Sequence, residues 1–142
     1  MNIKKLFIGG FISFILPVLA YAVTDFTILN NTDSYGTGRF EADFCPCSAV
    51  AGGSGIAAPH GSIVVPGPLM FMYCHPGKPC YAKLYVNTSC SGDPIARVQM
   101  DKDAGFVNIE NLNSDYVVSG SGSTIKIDPA SGKILNWFKA IF

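Results

Sequence analysis

Five sulfur-bearing side chains and one imidazole lie in two short stretches of this 142-residue sequence, and these candidate metal ligands are Cys45, Cys47, Met70, Met72, Cys74 and His75. The first stretch is a Cys-Pro-Cys motif, which places two thiols close together. In the second stretch a single residue separates the two methionines, which would therefore point the same way in a strand. Soft sulfur ligands with imidazole suit Cu(I), and less specifically zinc. One hypothesis is therefore a periplasmic copper-binding protein.

The same thiols can instead form disulfide bonds. The chain has five cysteines, and in an exported protein this number indicates two bridges and one remaining thiol. We expect Cys74 to pair with Cys80 across a short turn. A bond between Cys45 and Cys47 would be strained, because a single residue separates them. We therefore expect one of these two, which the sequence leaves open, to pair with Cys90.

The sequence contains few residues that could support histidine-dependent catalysis. His60 and His75 are the only histidines, so a Ser-His or Cys-His mechanism must use one of them. The sequence contains neither G-x-S-x-G nor H-E-x-x-H. A small secreted hydrolase is a second alternative, but we assign no catalytic residue and expect no cofactor.

The start of the chain predicts export. Asn2–Lys5 is basic, Leu6–Leu19 is almost entirely apolar, and Ala20-Tyr21-Ala22 fits a cleavage site. The apolar run is shorter than the about 20 residues that a membrane span needs. We therefore expect a signal peptide over 1–22, one domain over 23–142, a secreted or periplasmic location, and no integral membrane segment after cleavage.

The charge of the predicted mature chain excludes one class of partner. The whole chain has ten basic and ten acidic residues, and loss of Lys4 and Lys5 leaves a net charge near −2. A nucleic-acid-binding domain normally carries a basic surface. We therefore expect a protein or glycan partner and no nucleic acid.

A hairpin is predicted at the centre of the domain. Leu69–Tyr73 is apolar throughout, as in a strand covered on both faces. After a turn at His75–Pro79, the segment Tyr81–Asn87 alternates between apolar and amphipathic residues, which indicates a half-buried strand. The inward residues of that strand would be Ala82, Leu84 and Val86, and the outward ones Tyr81, Lys83 and Tyr85.

The remaining segments predict an all-β domain, a small disulfide-linked β-sandwich or small barrel of about eight to nine short strands. The second strand should cover Gly38–Phe44, with Phe40, Ala42 and Phe44 facing inward. Ala49–Gly61, rich in glycine and alanine, is expected to be a long mobile loop. A short C-terminal helix is predicted from the helical spacing of Ile134, Trp137, Phe138 and Ile141.

The favoured function is a non-catalytic binding domain that uses surface loops on a cross-linked frame. The candidate contacts are His60 in the Ala49–His60 loop, and Tyr81 and Tyr85 on the outward face of their strand. Tyrosine is suited to such a role because it combines apolar area with a hydrogen-bonding group.

Overall fold

The computed structural model describes residues 25–75 and 77–130. The predicted signal peptide over 1–22 and the predicted C-terminal helix lie outside these residues. Within them, no helix is long and apolar enough to cross a membrane. The described elements are eight strands, a 3-10 segment over Ser48–Gly55 and one short helix, α1, over Pro68–Tyr73. The strands are β1 Phe26–Asn30, β2 Thr37–Phe40, β3 Ser62–Val65, β4 Cys80–Tyr85, β5 Ala96–Asp101, β6 Gly105–Asn111, β7 Tyr116–Ser121 and β8 Thr124–Pro129.

The strands form two four-stranded sheets, which confirms the predicted all-β, disulfide-linked fold. Sheet I has the order β3-β1-β8-β7, and sheet II has the order β2-β4-β5-β6. Neighbouring strands are antiparallel in both sheets except for β1 and β8, which are parallel. Successive side chains of a strand point to opposite faces, so each sheet presents one apolar face to the other.

The core lies between the two apolar faces. In β4, Ala82 and Leu84 are buried as their alternation predicts. They meet buried residues of sheet I, and Phe26 packs edge-to-face on Phe106 with ring centroids 5.5 Å apart. Burial of one such large apolar side chain contributes roughly 1.5–3 kcal/mol. The two sheets are therefore held together mainly by this apolar layer.

One side of the sandwich is closed by backbone hydrogen bonds. Phe106 N–H donates to the Gly122 carbonyl at 2.7 Å, and Gly122 N–H donates back at 3.1 Å. This bridge joins β6 of sheet II to the β7–β8 turn of sheet I. On the opposite side the edge strands β2 and β3 are not paired with each other. Among the described strands, backbone pairing thus joins the two sheets along one side of the sandwich and leaves the β2–β3 side open.

The predicted strand Leu69–Tyr73 is wrong, because this segment is α1. Periodicity alone does not distinguish a short apolar helix from a buried strand. Pro68 occupies the first helical turn, where its fixed φ and missing N–H are tolerated, and Cys74 N–H donates to the Met70 carbonyl at 2.8 Å. The strands that pair with β4 are instead β2 and β5, so the predicted central hairpin does not exist.

The predicted second strand is too long. β2 ends at Phe40, and Phe44, which was expected to face inward, is 102% exposed with φ of +62°. The reason is the disulfide of Cys47. Because β2 is antiparallel to β4, the chain beyond Phe40 moves away from Cys90, whose Sγ lies near Thr37. The chain must therefore turn back to bring Cys47 to its partner.

The expected long loop over Ala49–Gly61 is more structured than its composition indicates. Residues 48–55 form the 3-10 segment. The Ser48 hydroxyl donates to the Gly55 carbonyl at 2.6 Å and accepts from Gly38 N–H at 3.0 Å. Ala57 is buried and pairs with Gly36 through the backbone. These hydrogen bonds fix the segment across the open side of the sandwich.

Candidate ligand-binding cleft

Two disulfide bonds account for four of the five cysteines. Cys47 is bonded to Cys90 with a Cα–Cα distance of 5.7 Å, and Cys74 to Cys80 with 5.3 Å. The structure therefore contains the pairings expected from the sequence and identifies Cys47 as the partner of Cys90. Cys45 retains a free thiol.

The candidate soft-metal ligands are not brought together. In a strand Met70 and Met72 would share a face, but in α1 they point in different directions. Met70 is 2% exposed in the core, whereas Met72 is 68% exposed. Cys47 and Cys74 are in disulfides, and His75 is exposed. Across residues 25–75 and 77–130, no three His, Cys, Asp or Glu side chains are grouped as metal ligands.

The two histidines differ in their surroundings. His60 Nε2 lies 2.8 Å from Asp33 Oδ1, and both side chains are exposed. The backbone of His60 has φ of +57°. In the described residues, no hydroxyl or thiol makes a hydrogen bond to the His60 or His75 ring. The nucleophile that a hydrolase would need is therefore not placed beside either imidazole.

The two tyrosines of β4 share the outer face of sheet II but have different environments. Tyr85 is only 6% exposed, because it packs with Cys47 and Cys90 in a small second cluster. Its role as a surface contact stays a prediction, although only a small part of its side chain is exposed. Tyr81 is half-buried, and the Arg97 guanidinium lies 3.7 Å from its ring centroid.

An apolar cleft of about 310 Å³ lies at the open side of the sandwich, where the edge strands β2 and β3 are not paired. Ile28 and Ile63 of sheet I and Leu84 and Val98 of sheet II contribute to its walls. The 3-10 segment and α1 line it as well. Its volume is at the lower end of the about 300–1,000 Å³ that is usual for small-molecule sites.

Small residues in the walls help to leave this space open. Gly38, Ala51 and Ala82 all line the cleft. A Cβ at Gly38 would come within 3.4 Å of the Leu84 side chain. Small side chains thus line the cleft where β2 pairs with β4.

Two further interactions hold the elements around the cleft. The rings of Phe40 and Tyr73 stack with centroids 5.3 Å apart, which joins β2 to α1. The disulfide of Cys47 anchors the chain just before the 3-10 segment. Both sides of the opening are thus attached to the sandwich.

Few polar groups line the cleft. The Ser48 hydroxyl is already engaged by Gly38 and Gly55. The Cys45 thiol also lines the cleft, and burial raises its pKa above the ordinary value, although a backbone hydrogen bond at Phe40 and the charge of Arg39 act in the opposite direction. The neutral thiol is therefore the favoured form of Cys45 at neutral pH.

Sequence reasoning did not identify this cleft, because its walls come from segments that are distant in the chain. One signal was present: Ile63, Val64 and Val65 are apolar on both faces of what proves to be an edge strand. An edge strand of a two-layer sandwich usually has one polar face. In the folded chain Ile63 is buried and Val64 is 49% exposed, and both line the cleft.

Comparison with known proteins gives one similar fold. No protein-family model and no curated protein sequence matches the chain. The solved structure of the Legionella pneumophila type II secretion system substrate NttC superposes with a TM-score of 0.54 at 18% sequence identity, and the match covers 74% of this chain and 96% of that one. At this level of identity the similarity establishes a shared fold.

Proposed function

We propose that this chain is an exported, non-catalytic binding protein that holds an apolar ligand in the cleft between its two sheets. The observation that carries the proposal is the cleft itself, which is open to solvent and lined almost entirely by apolar groups. Exposed apolar concavities with a few polar groups are typical of ligand sites.

The nature of the walls favours an apolar ligand over the glycan that the sequence left open. Sugar hydroxyls that enter a cleft must replace their hydrogen bonds to water, at a cost of about 1–3 kcal/mol for each one left unpaired. The hydroxyls of Ser48 and Ser54 are already hydrogen-bonded, and the Cys45 thiol is a weak donor. The other polar side chains of the lining, Arg39 and Tyr73, are too few for the several hydroxyls of a sugar. An aliphatic or aromatic group needs no such partners.

Two observations support export. Disulfides persist in oxidising compartments and are rare in the cytosol, and this chain forms two. The similar fold of NttC belongs to a secretion substrate. Protein recovered from the periplasm or medium of the producing cell should show Cys47–Cys90 and Cys74–Cys80 bridges in peptide mass mapping. Recovery only from the cytosol, with these thiols reduced, would contradict export.

The free thiol of Cys45 provides a reporter for the binding proposal. Because Cys45 lines the cleft, a bound ligand should slow its alkylation by N-ethylmaleimide. We expect 1-dodecanol, at concentrations below those at which it aggregates, to slow this reaction at least fivefold.

A pair of tryptophan variants tests where the ligand binds. Ala51→Trp places a large side chain in the cleft wall and should abolish the protection. Val117→Trp adds the same side chain on exposed β7, away from the cleft, and should leave it intact. Equal alkylation with and without the alcohol in the unsubstituted chain would refute the proposal.

A further inference from the structure

Arg39 is the one charged residue among the described residues that line the cleft. It lies on the edge strand β2, opposite Lys83 of β4, so its side chain starts from the outer face of sheet II. Its charge is also near enough to the Cys45 thiol to favour the thiolate. Arg39 is exposed and belongs to the lining, so its side chain can bring a positive charge to the rim of an otherwise uncharged cleft.

The neighbouring cations are neutralised, whereas Arg39 is not. Lys83 Nζ lies 3.6 Å from Glu41 Oε1, and Arg97 Nε lies 2.7 Å from Glu41 Oε2. Among the described carboxylates, none lies within ion-pair distance of Arg39. Two cations directly opposite each other on paired strands repel. Lys83 and Arg97 thus share the Glu41 carboxylate. The Arg39 guanidinium is left to interact with a negative charge on a bound ligand.

From this arrangement we infer that the ligand is a single-chain fatty acid, with its hydrocarbon chain in the cleft and its carboxylate on the Arg39 guanidinium. The inference depends on the proposed function and specifies its ligand. A guanidinium can bind a carboxylate through two parallel hydrogen bonds. The cleft volume of about 310 Å³ suits one chain better than a diacyl lipid.

The charge arrangement also separates this ligand from neutral amphiphiles. An alcohol of the same chain length would fill the same apolar volume, but it would form no ion pair with the guanidinium and could not accept the two parallel hydrogen bonds that a carboxylate accepts. Such bonds are roughly twice as strong as neutral ones. The fatty acid should therefore bind the full chain about tenfold more tightly than the alcohol.

The test compares dodecanoate with 1-dodecanol on the full chain, using the ratio of Cys45 alkylation rates with and without each compound. Arg39→Gln should raise the half-protecting concentration of dodecanoate about tenfold and change that of dodecanol much less. Arg39→Lys should restore part of the loss. Lys102→Gln is the matched control. It removes an exposed cation of the β5–β6 turn that does not line the cleft, and it should change neither value. Use of a rate ratio removes any direct effect of these changes on the thiol.

The possible outcomes separate the two proposals. Equal protection by both compounds, or an unchanged value in Arg39→Gln, would refute the fatty-acid inference and leave the apolar-ligand proposal standing. Protection by neither compound would refute both. If Cys45 in the ligand-free protein resists alkylation at every protein concentration, part of the same chain fills the cleft. If dilution of the protein restores the alkylation of Cys45, a second copy of the chain fills the cleft. Either result would overturn the inference.

Discussion

The side-chain oxygen of Asn30 accepts two hydrogen bonds from Thr32, one from its backbone N–H at 3.1 Å and one from its hydroxyl at 2.7 Å. The side-chain amide nitrogen of Asn30 donates to the carbonyls of Ser34, Ala57 and Ala58 at 2.7, 3.2 and 3.1 Å. Asn30 is 1% exposed. One buried side chain thus connects the end of β1 to the turn that follows it and to the segment before β3.

Asn30→Asp should be among the most destabilising isosteric changes in the domain. It replaces the donating amide by a carboxylate that faces three carbonyl oxygens. Loss of these donors and burial of a charge should lower the free energy of unfolding by about 3 kcal/mol at pH 7. The change is measured by urea denaturation, and it should diminish below pH 4, where the neutral acid can donate one hydrogen bond.

Asn113→Asp is the matched control for that experiment. Asn113 uses only its side-chain oxygen, which accepts from Asp115 N–H at 2.7 Å, and a carboxylate can accept in the same way. Its effect should be below about 0.5 kcal/mol. Equal denaturation midpoints for the two variants would show that the Asn30 interactions do not contribute as described.

The two disulfides should contribute unequally to stability. On the chain-entropy model, closure of the 43-residue separation between Cys47 and Cys90 is worth about 4 kcal/mol, and closure of the six-residue separation between Cys74 and Cys80 about 2 kcal/mol. Replacement of the first pair by serines should therefore lower Tm by roughly 8 °C more than replacement of the second. The two double variants are compared by calorimetry, and the opposite order would contradict the model.

Tyr81 and Tyr85 should respond differently to alanine, although they lie two residues apart on one face. Tyr85 packs against the Cys47–Cys90 bridge, so Tyr85→Ala should cost about 3 kcal/mol. Tyr81 is half-buried on that face, and Tyr81→Ala should cost less than half as much. Denaturant titration measures both, and equal losses would show that the bridge does not cover Tyr85 in solution.

The reactivity of Cys45 should depend on pH in a defined direction. Burial raises its pKa in the folded chain above the ordinary thiol value of 9.0. The resulting contribution to stability is complete below that value and is lost as pH rises through the folded pKa. Iodoacetamide alkylation should therefore reach its midpoint at higher pH in the folded chain than in urea.

Arg39→Gln provides an internal check on that pH profile. The positive charge of Arg39 lowers the pKa of Cys45 against the effect of burial. Removal of this charge should move the folded midpoint to still higher pH. A folded midpoint below the unfolded one would contradict the burial of the thiol.

The extent to which the sequence predicts the fold depends on how local each signal is. Ala82 and Leu84 face the core because a period of two specifies a half-buried strand wherever the strand lies. Phe44 follows the same pattern but is exposed, because the position of Cys90 forces the chain to turn. Local alternation contains no information about that distant partner.

The candidate site was less accessible to sequence reasoning. Met70 and Met72 were grouped on the assumption of a strand, but two residues apart in a helix they lie on roughly opposite faces. The cleft requires the relative positions of β2, β3 and the 3-10 segment, which no single stretch specifies. Cys45 was identified as a candidate residue, but its place in the cleft wall follows from the pairing of Cys47.

The parallel pairing of β1 with β8 has a consequence for when the chain folds. Thr27 lies opposite Thr124 and Asn30 opposite Ile127, so a central pair of sheet I joins strands roughly a hundred residues apart, and contacts this distant in sequence slow folding. During synthesis β1 and β3 have no third strand until nearly all of the described domain has been made. Sheet I therefore completes late, because β1 cannot gain its second neighbour until almost all of the described residues have been synthesised.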